Sequence, residues 1–252
     1  MSLKLAIIIL SKNEEKNIGS AIDSASFADE ILVIDSGSTD ATQTIAESKG
    51  AKFVFHPMGE NGFAGQRNFA LTQTEAEWVF YLDADERLTE ETEAEIREIV
   101  ENGEKCAYAI KRMNVVFGKL LHYGAHAPDR CLRLFPREAV YWNGRVHEHS
   151  KTDLPQKGLN GVMHHYTYEN LEAYFRKFNS YTTLAAEKMR EENRSPAAWK
   201  LWLDPIFTFF KMYVIKQGWR DGWLGLVMSV LAAVYVWVKY LKFNLLVRGV
   251  GA

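Results

Sequence analysis

Short apolar runs alternate with segments of helical spacing through the first hundred residues. Leu5-Ala-Ile-Ile-Ile-Leu10 is an unbroken apolar run, the pattern of a strand covered on both faces. Residues 14–24 follow, with Ile18, Ala21, Ile22 and Ala25 at helical spacing. Residues 30–35 predict a second strand. Ser38 or Thr39 is the expected N-cap of a helix reaching residue 49. Residues 52–55 predict a third strand, 63–72 a helix, 78–82 a fourth strand and 89–101 another helix. This alternation predicts an α/β fold with a mostly parallel central sheet and helices on both faces.

The pattern changes after residue 105. Tyr108-Ala-Ile-Lys111 and Cys131-Leu-Arg-Leu-Phe135 read as strands between loops rich in Gly, His, Arg and Pro. From Asn170 the chain reads as helical, with Leu171, Tyr174, Phe175 and Phe178 on one face. The expected organisation is a catalytic domain over 1–168, in halves 1–105 and 106–168, followed by a helical region over 169–252.

Ligands of parallel α/β sheets sit at the carboxyl ends of the strands. Three polar clusters fall there: Ser11-Lys12-Asn13-Glu14, Asp35-Ser-Gly-Ser-Thr-Asp40 and Asp83-Ala84-Asp85. Two carboxylates side by side repel unless a cation lies between them, and hard divalent cations prefer oxygen ligands. Asp83 and Asp85 are therefore candidate ligands for Mg²⁺ or Mn²⁺ bridging to a diphosphate. The plainer reading is a solvated turn capping the next helix. The Asp35 carboxylate is placed to accept from a base N–H or a ribose hydroxyl, while Ser38, Thr39 and Asp40 could simply cap a helix. Ser11, Asn13 and Glu14 belong either to a helix start or to the same cleft. Arg67 and Asn68 sit in a helix after Gly62 and Gly65; an arginine there would anchor a diphosphate or form a surface ion pair.

Composition narrows the options. The net charge of -2 gives no general case for nucleic-acid binding. Cys106 and Cys131 are the only cysteines and have no CxxC partner, which argues against a zinc cluster or a disulfide framework and fits a reducing cytoplasm. The first apolar run is too short for a secretory h-region, so a cytoplasmic location is expected.

The tail differs from the rest. Trp223–Val238 carries no charge over 16 residues, short of a typical span of about 20. From residue 197 to the end there are seven Lys or Arg and two Asp or Glu. A basic, aromatic, apolar tail of this kind predicts peripheral attachment to the inner leaflet, with a buried helix or a homo-oligomer interface as the alternatives.

Lys12-Asn-Glu-Glu, Asp35-Ser-Gly-Ser-Thr-Asp-Ala-Thr42, Gly65-Gln-Arg-Asn-Phe-Ala70 and Asp83-Ala-Asp-Glu86 resemble, in order and spacing, the successive motifs of family 2 glycosyltransferases of GT-A fold. Arg133-Leu-Phe-Pro, Gly144-Arg-Val-His-Glu148 and His164-His-Tyr166 resemble a compact branch that includes bacterial lipopolysaccharide-core glucosyltransferases acting on an inner-core heptose. The resemblance implies an inverting single displacement from a UDP-sugar, most simply UDP-glucose, to a lipid-linked saccharide. Asp35 and Arg67 would then contact the nucleotide, Asp83 the ribose or the metal, and Asp85 the metal. His164 or His165 would supply a third ligand. Glu148 is the expected catalytic base, unless it pairs with Arg145 or Arg133; Asp129 is the second candidate. His122, His126 and Arg130 would line the acceptor path, and Arg130, Arg133 and Arg145 suit an acceptor bearing phosphates.

Two other classes remain open at this point. A nucleotidyltransferase would carry a Gly-rich basic loop after the first strand, where this chain has no glycine before Gly19. A non-catalytic, membrane-docked saccharide-binding protein would have no need of Asp83 and Asp85.

Overall fold

A computed structural model describes residues 4–144, 149–194 and 199–249. The chain forms two compact units: residues up to Arg112 with Asp129–His165, and Met113–Pro128 with the residues from Tyr166 onward. Residues 106–168, expected as one acceptor half, are thus divided between the units.

The first unit is built on a sheet. The strands are β1 (Leu5–Ser11), β2 (Glu30–Asp35), β3 (Lys52–Phe55), β4 (Trp78–Asp83), β5 (Glu86–Leu88), β6 (Ala107–Val116), β7 (Lys119–Leu121), β8 (Asp129–Pro136), β9 (Tyr141–Asn143), β10 (His149–Lys151) and β11 (Gln156–Tyr168), of which β7 and the ends of β6 from Met113 and of β11 from Tyr166 belong to the second unit. The sheet order is β3-β2-β1-β4-β8-β6-β11-β5. β1 pairs in parallel with β2 and β4, and β2 with β3. Beyond β4 the pairings turn antiparallel, β4 with β8, β8 with β6 and β11 with β5. The sheet is mixed: parallel in its first half, antiparallel in its second.

β1 is central and covered on both sides, which explains its continuous apolar run. Ile7, Ile9, Val33, Phe80 and Leu82 face one layer, packed with Ile18 and Ile22 of α1 (Ile18–Ser24) and Ile96 of α4 (Glu90–Asn102). Ile8, Leu32, Ile34, Val79 and Tyr81 face the other, with Ala64 and Ala70 of α3 (Gly62–Leu71). The period of two in a strand divides these residues between faces. Thr89 caps α4 through its hydroxyl, which accepts from Thr92 N, and Glu90, Glu91 and Glu93 complement the helix dipole.

α1 and α2 (Thr42–Ser48) both start later than their sequence patterns suggest. The expected capping residues are engaged elsewhere: Ser38 Oγ donates to Asp35 at 2.6 Å, and Thr39 N donates to Asn13 Oδ1 at 2.8 Å.

The second unit contains α5 (Leu171–Glu191), α6 (Lys200–Phe210) and α7 (Gly222–Val247). Asn170 caps α5, accepting from Ala173 N at 2.9 Å. α7 is longer than the charge-free run because Lys239 and Lys242 are helical; its 26 residues extend about 39 Å. By length and composition the segment Gly218–Val247 is long and apolar enough to cross a membrane. Lys242, however, is bound inside the unit, donating to Asn179 O and Oδ1 and to the hydroxyls of Thr182 and Thr183 on α5 at 2.7–2.9 Å. No residue of α6 is buried, and its Trp202, Leu203, Ile206, Phe207 and Phe210 are all at least half exposed.

Candidate active site

The parallel register brings the polar strand ends level. Ser11 pairs with Asp35 across β1 and β2, and Leu10 with Asp83 across β1 and β4. The three clusters expected at one edge do meet there.

Asp35 organises the floor of this edge. Its Oδ2 accepts from Ser11 Oγ at 2.7 Å and Ser38 Oγ at 2.6 Å; its Oδ1 accepts from Gly37 N at 2.8 Å and Ser38 N at 2.7 Å. Burial alone would raise its pKa, but the bonds from Ser38, Ser11 and Gly37 outweigh burial and hold it below the usual carboxylate value. A carboxylate offers about four lone-pair directions, and all are engaged. Asp35 therefore shapes the loop directly. Gly37, at φ +101°, makes the turn that delivers these amides.

Asn13 and Glu14 continue the same network. Asn13 takes a left-handed conformation at φ 56°, and its N–H donates to Ser38 Oγ at 2.7 Å. Glu14 N donates to Thr42 Oγ1 at 2.8 Å, and Glu14 Oε2 accepts from Asn17 Nδ2 at 2.7 Å. Glu15 N donates to Asp40 at 3.2 Å, and Ala41 N donates to Glu15 at 3.2 Å. Loops 11–15 and 35–42 are thereby laced together.

Asp83 and Asp85 do not stand side by side on one strand. β4 ends at Asp83, and Ala84-Asp85 form a turn into β5. The two carboxylates consequently have different partners. Asp83 pairs with Arg67 Nη2 at 3.1 Å and Arg133 Nη2 at 2.8 Å. Burial opposes its ionisation, but Arg133 and Arg67 hold it well below the usual range. Asp85 Oδ2 lies 3.2 Å from His165 Nε2. Strand register explains that contact: β11 pairs with β5 so that His165 stands opposite Glu86 and His164 opposite Arg87. Burial lowers the pKa of His164. Of the two candidate histidines, His165 is the one beside Asp85.

Glu86 is the residue whose role the sequence left unread. It is fully buried; Oε2 accepts from Asp83 N at 2.9 Å and Oε1 from Arg133 Nη2 at 2.7 Å. Burial pushes the Glu86 carboxyl up, while Arg133 pulls the other way. Arg133, expected to suit acceptor phosphates, is the buried cation joining Asp83 to Glu86. The available signal was a charge inside an apolar strand, Leu132-Arg133-Leu134-Phe135, which demands a buried counter-charge. Arg87 closes the turn, donating to Ala84 O at 2.7 Å, Glu86 O at 2.6 Å and Asn17 O at 2.9 Å.

Arg67 is buried and not part of a surface ion pair. Its guanidinium lies 4.6 Å from the Trp142 ring centroid and 5.6 Å from that of Tyr81. Beside it a cavity of about 560 Å³ is lined by Asp83, Arg67, Arg112, Arg130, Arg133 and Trp142, among others. Asp83, Glu86 and Asp129 pair with Arg67, Arg133 and Arg112, so four guanidinium groups meet three carboxylates and one positive charge remains for an anionic ligand.

Asp129 is held by Arg112 through both oxygens, at 3.0 and 2.7 Å. His122 and His126 belong to the second unit. Glu148 and Arg145 lie outside the described residues.

The metal reading has a structural test. Among the described residues no three His, Cys, Asp or Glu side chains gather as a ready cation site. Asp85 and His165 form a two-donor pair, both half-buried, and both Asp83 oxygens are already paired with arginine. Mg²⁺ and Mn²⁺ sites of phosphoryl chemistry commonly take few protein ligands, with substrate phosphates and water completing the shell. The pair fits such an open site.

A model of glycosyl transferase family 2 matches residues 6–150. An uncharacterized glycosyltransferase of Rickettsia bellii (strain RML369-C) is 29% identical over 261 residues, covering 97% of this chain and 87% of that protein. The lipopolysaccharide core biosynthesis glycosyltransferase LpsC of Rhizobium meliloti (strain 1021) is 30% identical over 257 residues, covering 95% and 92%. Among solved structures, S. aureus TarS 1-349 aligns over 98% of this chain and 92% of its own, at 14% identity and a TM-score of 0.49. Glucosyl-3-phosphoglycerate synthase from Mycobacterium tuberculosis, in complex with Mn²⁺, UDP and glucosyl-3-phosphoglycerate, aligns over 73% and 78%, at 20% identity and a TM-score of 0.44. With a mixed sheet, helices on both of its faces and a helical C-terminal region of GT-A type, the chain belongs to glycosyl transferase family 2.

Proposed function

We propose that this glycosyltransferase is an inverting enzyme that moves glucose from UDP-glucose to a lipid-linked saccharide such as the lipopolysaccharide inner core. The observation that carries the reading is Asp83 at the carboxyl end of β4, lining an arginine-bearing cavity with Arg67 and Arg133 and followed two residues on by the Asp85–His165 pair. The acceptor class is supported by the likeness to LpsC along nearly the whole chain.

In this reading the loops of Ser11, Asn13, Glu14 and Asp35 receive the base and ribose. Arg67 faces the diphosphate across Asp83, and Asp83 fixes that guanidinium while remaining ionised. Asp85 and His165, with Asp83 adjacent, would hold Mg²⁺ or Mn²⁺, which supplies charge neutralisation for the departing diphosphate. The acceptor hydroxyl attacks the anomeric carbon from the face opposite UDP. The new C–O bond forms as the bond to the diphosphate oxygen breaks, and Glu148 takes the hydroxyl proton. Arg130 and Arg133 are the described members of the cationic set proposed for phosphate groups.

The exposed apolar face of α6 and the basic tail support peripheral docking on the cytoplasmic face of the inner membrane. Internal anchoring of Lys242 to α5 favours a helix lying on the surface over one crossing it. Self-association through the C-terminal helices is the competing use of that face.

A screen of nucleotide sugars for hydrolysis, with Mn²⁺ and with chelator, tests the activity. Turnover of UDP-glucose above other donors, lost with chelator, is expected. Preference for another nucleotide, or turnover indifferent to chelation, would refute the donor or the metal respectively.

A further inference from the structure

The second unit holds a cavity that the glycosyltransferase reaction leaves without a role. It measures about 500 Å³ and is lined by Lys188, Arg194, Lys200, Lys239, Glu192 and Tyr240, among others. Four cations line it with the Glu192 carboxylate, and Asp204 stands beside Tyr240. Glu192 positions two of them, at 2.6 Å from Arg194 Nε and 3.9 Å from Lys188 Nζ. The Lys239 ammonium stands 4.6 Å from the Tyr240 ring centroid, and the Tyr240 hydroxyl donates to Asp204 at 2.6 Å, which fixes that ring. Lys200 is the first residue of α6.

Outside the cavity lining, α6 and α7 carry apolar and aromatic side chains. Trp202, one half-turn beyond Lys200, and Trp237, one half-turn before Lys239, have ring centroids 6.3 Å apart and bridge α6 and α7. Past them runs the exposed face of α6, Leu203, Ile206, Phe207 and Phe210. Tryptophan rings favour the level of lipid headgroups, and apolar helix faces settle at the acyl boundary beneath.

We infer that this cavity is a headgroup site: Lys188, Arg194, Lys200 and Lys239 receive the phosphate of an anionic phospholipid while the Trp202–Trp237 pair and the α6 face rest in the interface. Charge complementarity selects the occupant, because a second copy of this chain would have to present a concentrated anion opposite the cavity. The inference rests on the membrane-docking reading above and sharpens it from a diffuse basic tail to one site.

Co-sedimentation of the full chain with vesicles tests it, using phosphatidylcholine alone and phosphatidylcholine with phosphatidylglycerol. The pocket variant is Lys200→Gln with Lys239→Gln. Its control is Lys211→Gln with Lys216→Gln, an equal charge change on exposed lysines of the same tail. The pocket variant should lose about thirtyfold in affinity for anionic vesicles, the worth of two basic residues at such a surface, and the control less than about threefold. Lys200→Arg with Lys239→Arg should bind as the parent does, which separates charge from packing if the Gln pair melts early. Equal losses in pocket variant and control would overturn the site and leave diffuse docking standing. No binding of the parent to anionic vesicles would overturn both. A dimer dispersed by the pocket variant, or phosphate binding in solution lost with vesicle binding unchanged, would assign the cavity to another occupant and overturn the inference.

Discussion

Asn68 brackets the backbone of Trp142: its Nδ2 donates to Trp142 O and its Oδ1 accepts from Trp142 N, both at 2.8 Å. A helix residue and a strand residue far apart in sequence are thus joined as two strands would be. Trp142 in turn lies against the Arg67 guanidinium, so the residue beside Arg67 in sequence also secures the ring stacked on it.

Asn68→Ala should leave both Trp142 backbone groups without that partner, at about 1–3 kcal/mol of stability, and loosen the Arg67 wall of the cavity. Asn68→Asp should cost more, since its second oxygen would oppose the Trp142 carbonyl. Urea unfolding measures the first effect and UDP titration the second. Unchanged stability in both variants would remove Asn68 from this role.

Asp35 predicts a pH dependence. Its pKa is lowered by folding, so the stability it contributes is complete above the ordinary carboxylate value and is lost as pH falls through the lowered one. Asp35→Asn should therefore destabilise the protein near neutrality and flatten its acid limb. Urea midpoints followed from neutral pH to about pH 3 would show the two curves converging. Parallel curves would mean that Asp35 ionisation contributes nothing to folding.

For the proposed metal pair, Asp85→Ala should abolish turnover and remove Mn²⁺-dependent UDP binding while preserving the melting temperature. Asp85 is half-buried and sits in a turn, so its loss opens no core cavity. Calorimetric titration of UDP with and without Mn²⁺ decides the matter; metal-dependent affinity surviving in the variant would exclude Asp85 as a ligand.

Glu148→Gln tests the proposed base. The amide keeps the size of the side chain but cannot take the proton, so transfer should fall by roughly 10²–10⁴ with UDP-sugar affinity within about twofold. Joint loss of donor binding and melting temperature would mark a structural Glu148, and near-parental transfer would eliminate it as base. The search would then move to Asp129, whose carboxylate is paired with Arg112.

Local pattern carried the strands and failed at the loops. β2 has the bounds its apolar run suggests, because a strand buried on both faces has little freedom in composition; β3, an edge strand with no buried residue, keeps its bounds through its apolar Phe53 and Val54. α1 and α2 start later than their patterns suggest because the N–H groups of Glu14 and Glu15 donate to Thr42 and Asp40, while Ser38 binds Asp35 within its own loop and Thr39 binds Asn13 across to the other. The carboxylate pair was legible as chemistry, but its geometry was not. Arg133 reaches Asp83 and Glu86 from the far half of the chain, and His165 meets Asp85 only through the register of β11 on β5. Residue spacing records neighbours along the chain, whereas these contacts follow from how strands are ordered in the sheet. The run of Trp223–Val238 understated its helix for the converse reason, since Lys242 is helical once α5 supplies its partners.

The lacing of loops 11–15 and 35–42 has a thermodynamic consequence. Side-chain to main-chain bonds from Asp35, Ser38, Asn13, Asp40, Thr42 and Glu15 immobilise both loops during folding. A ligand settling on them inherits that order and does not have to impose it. Its association then carries a small entropic penalty and a heat-capacity change set by the apolar surface it covers, with little added by loop closure.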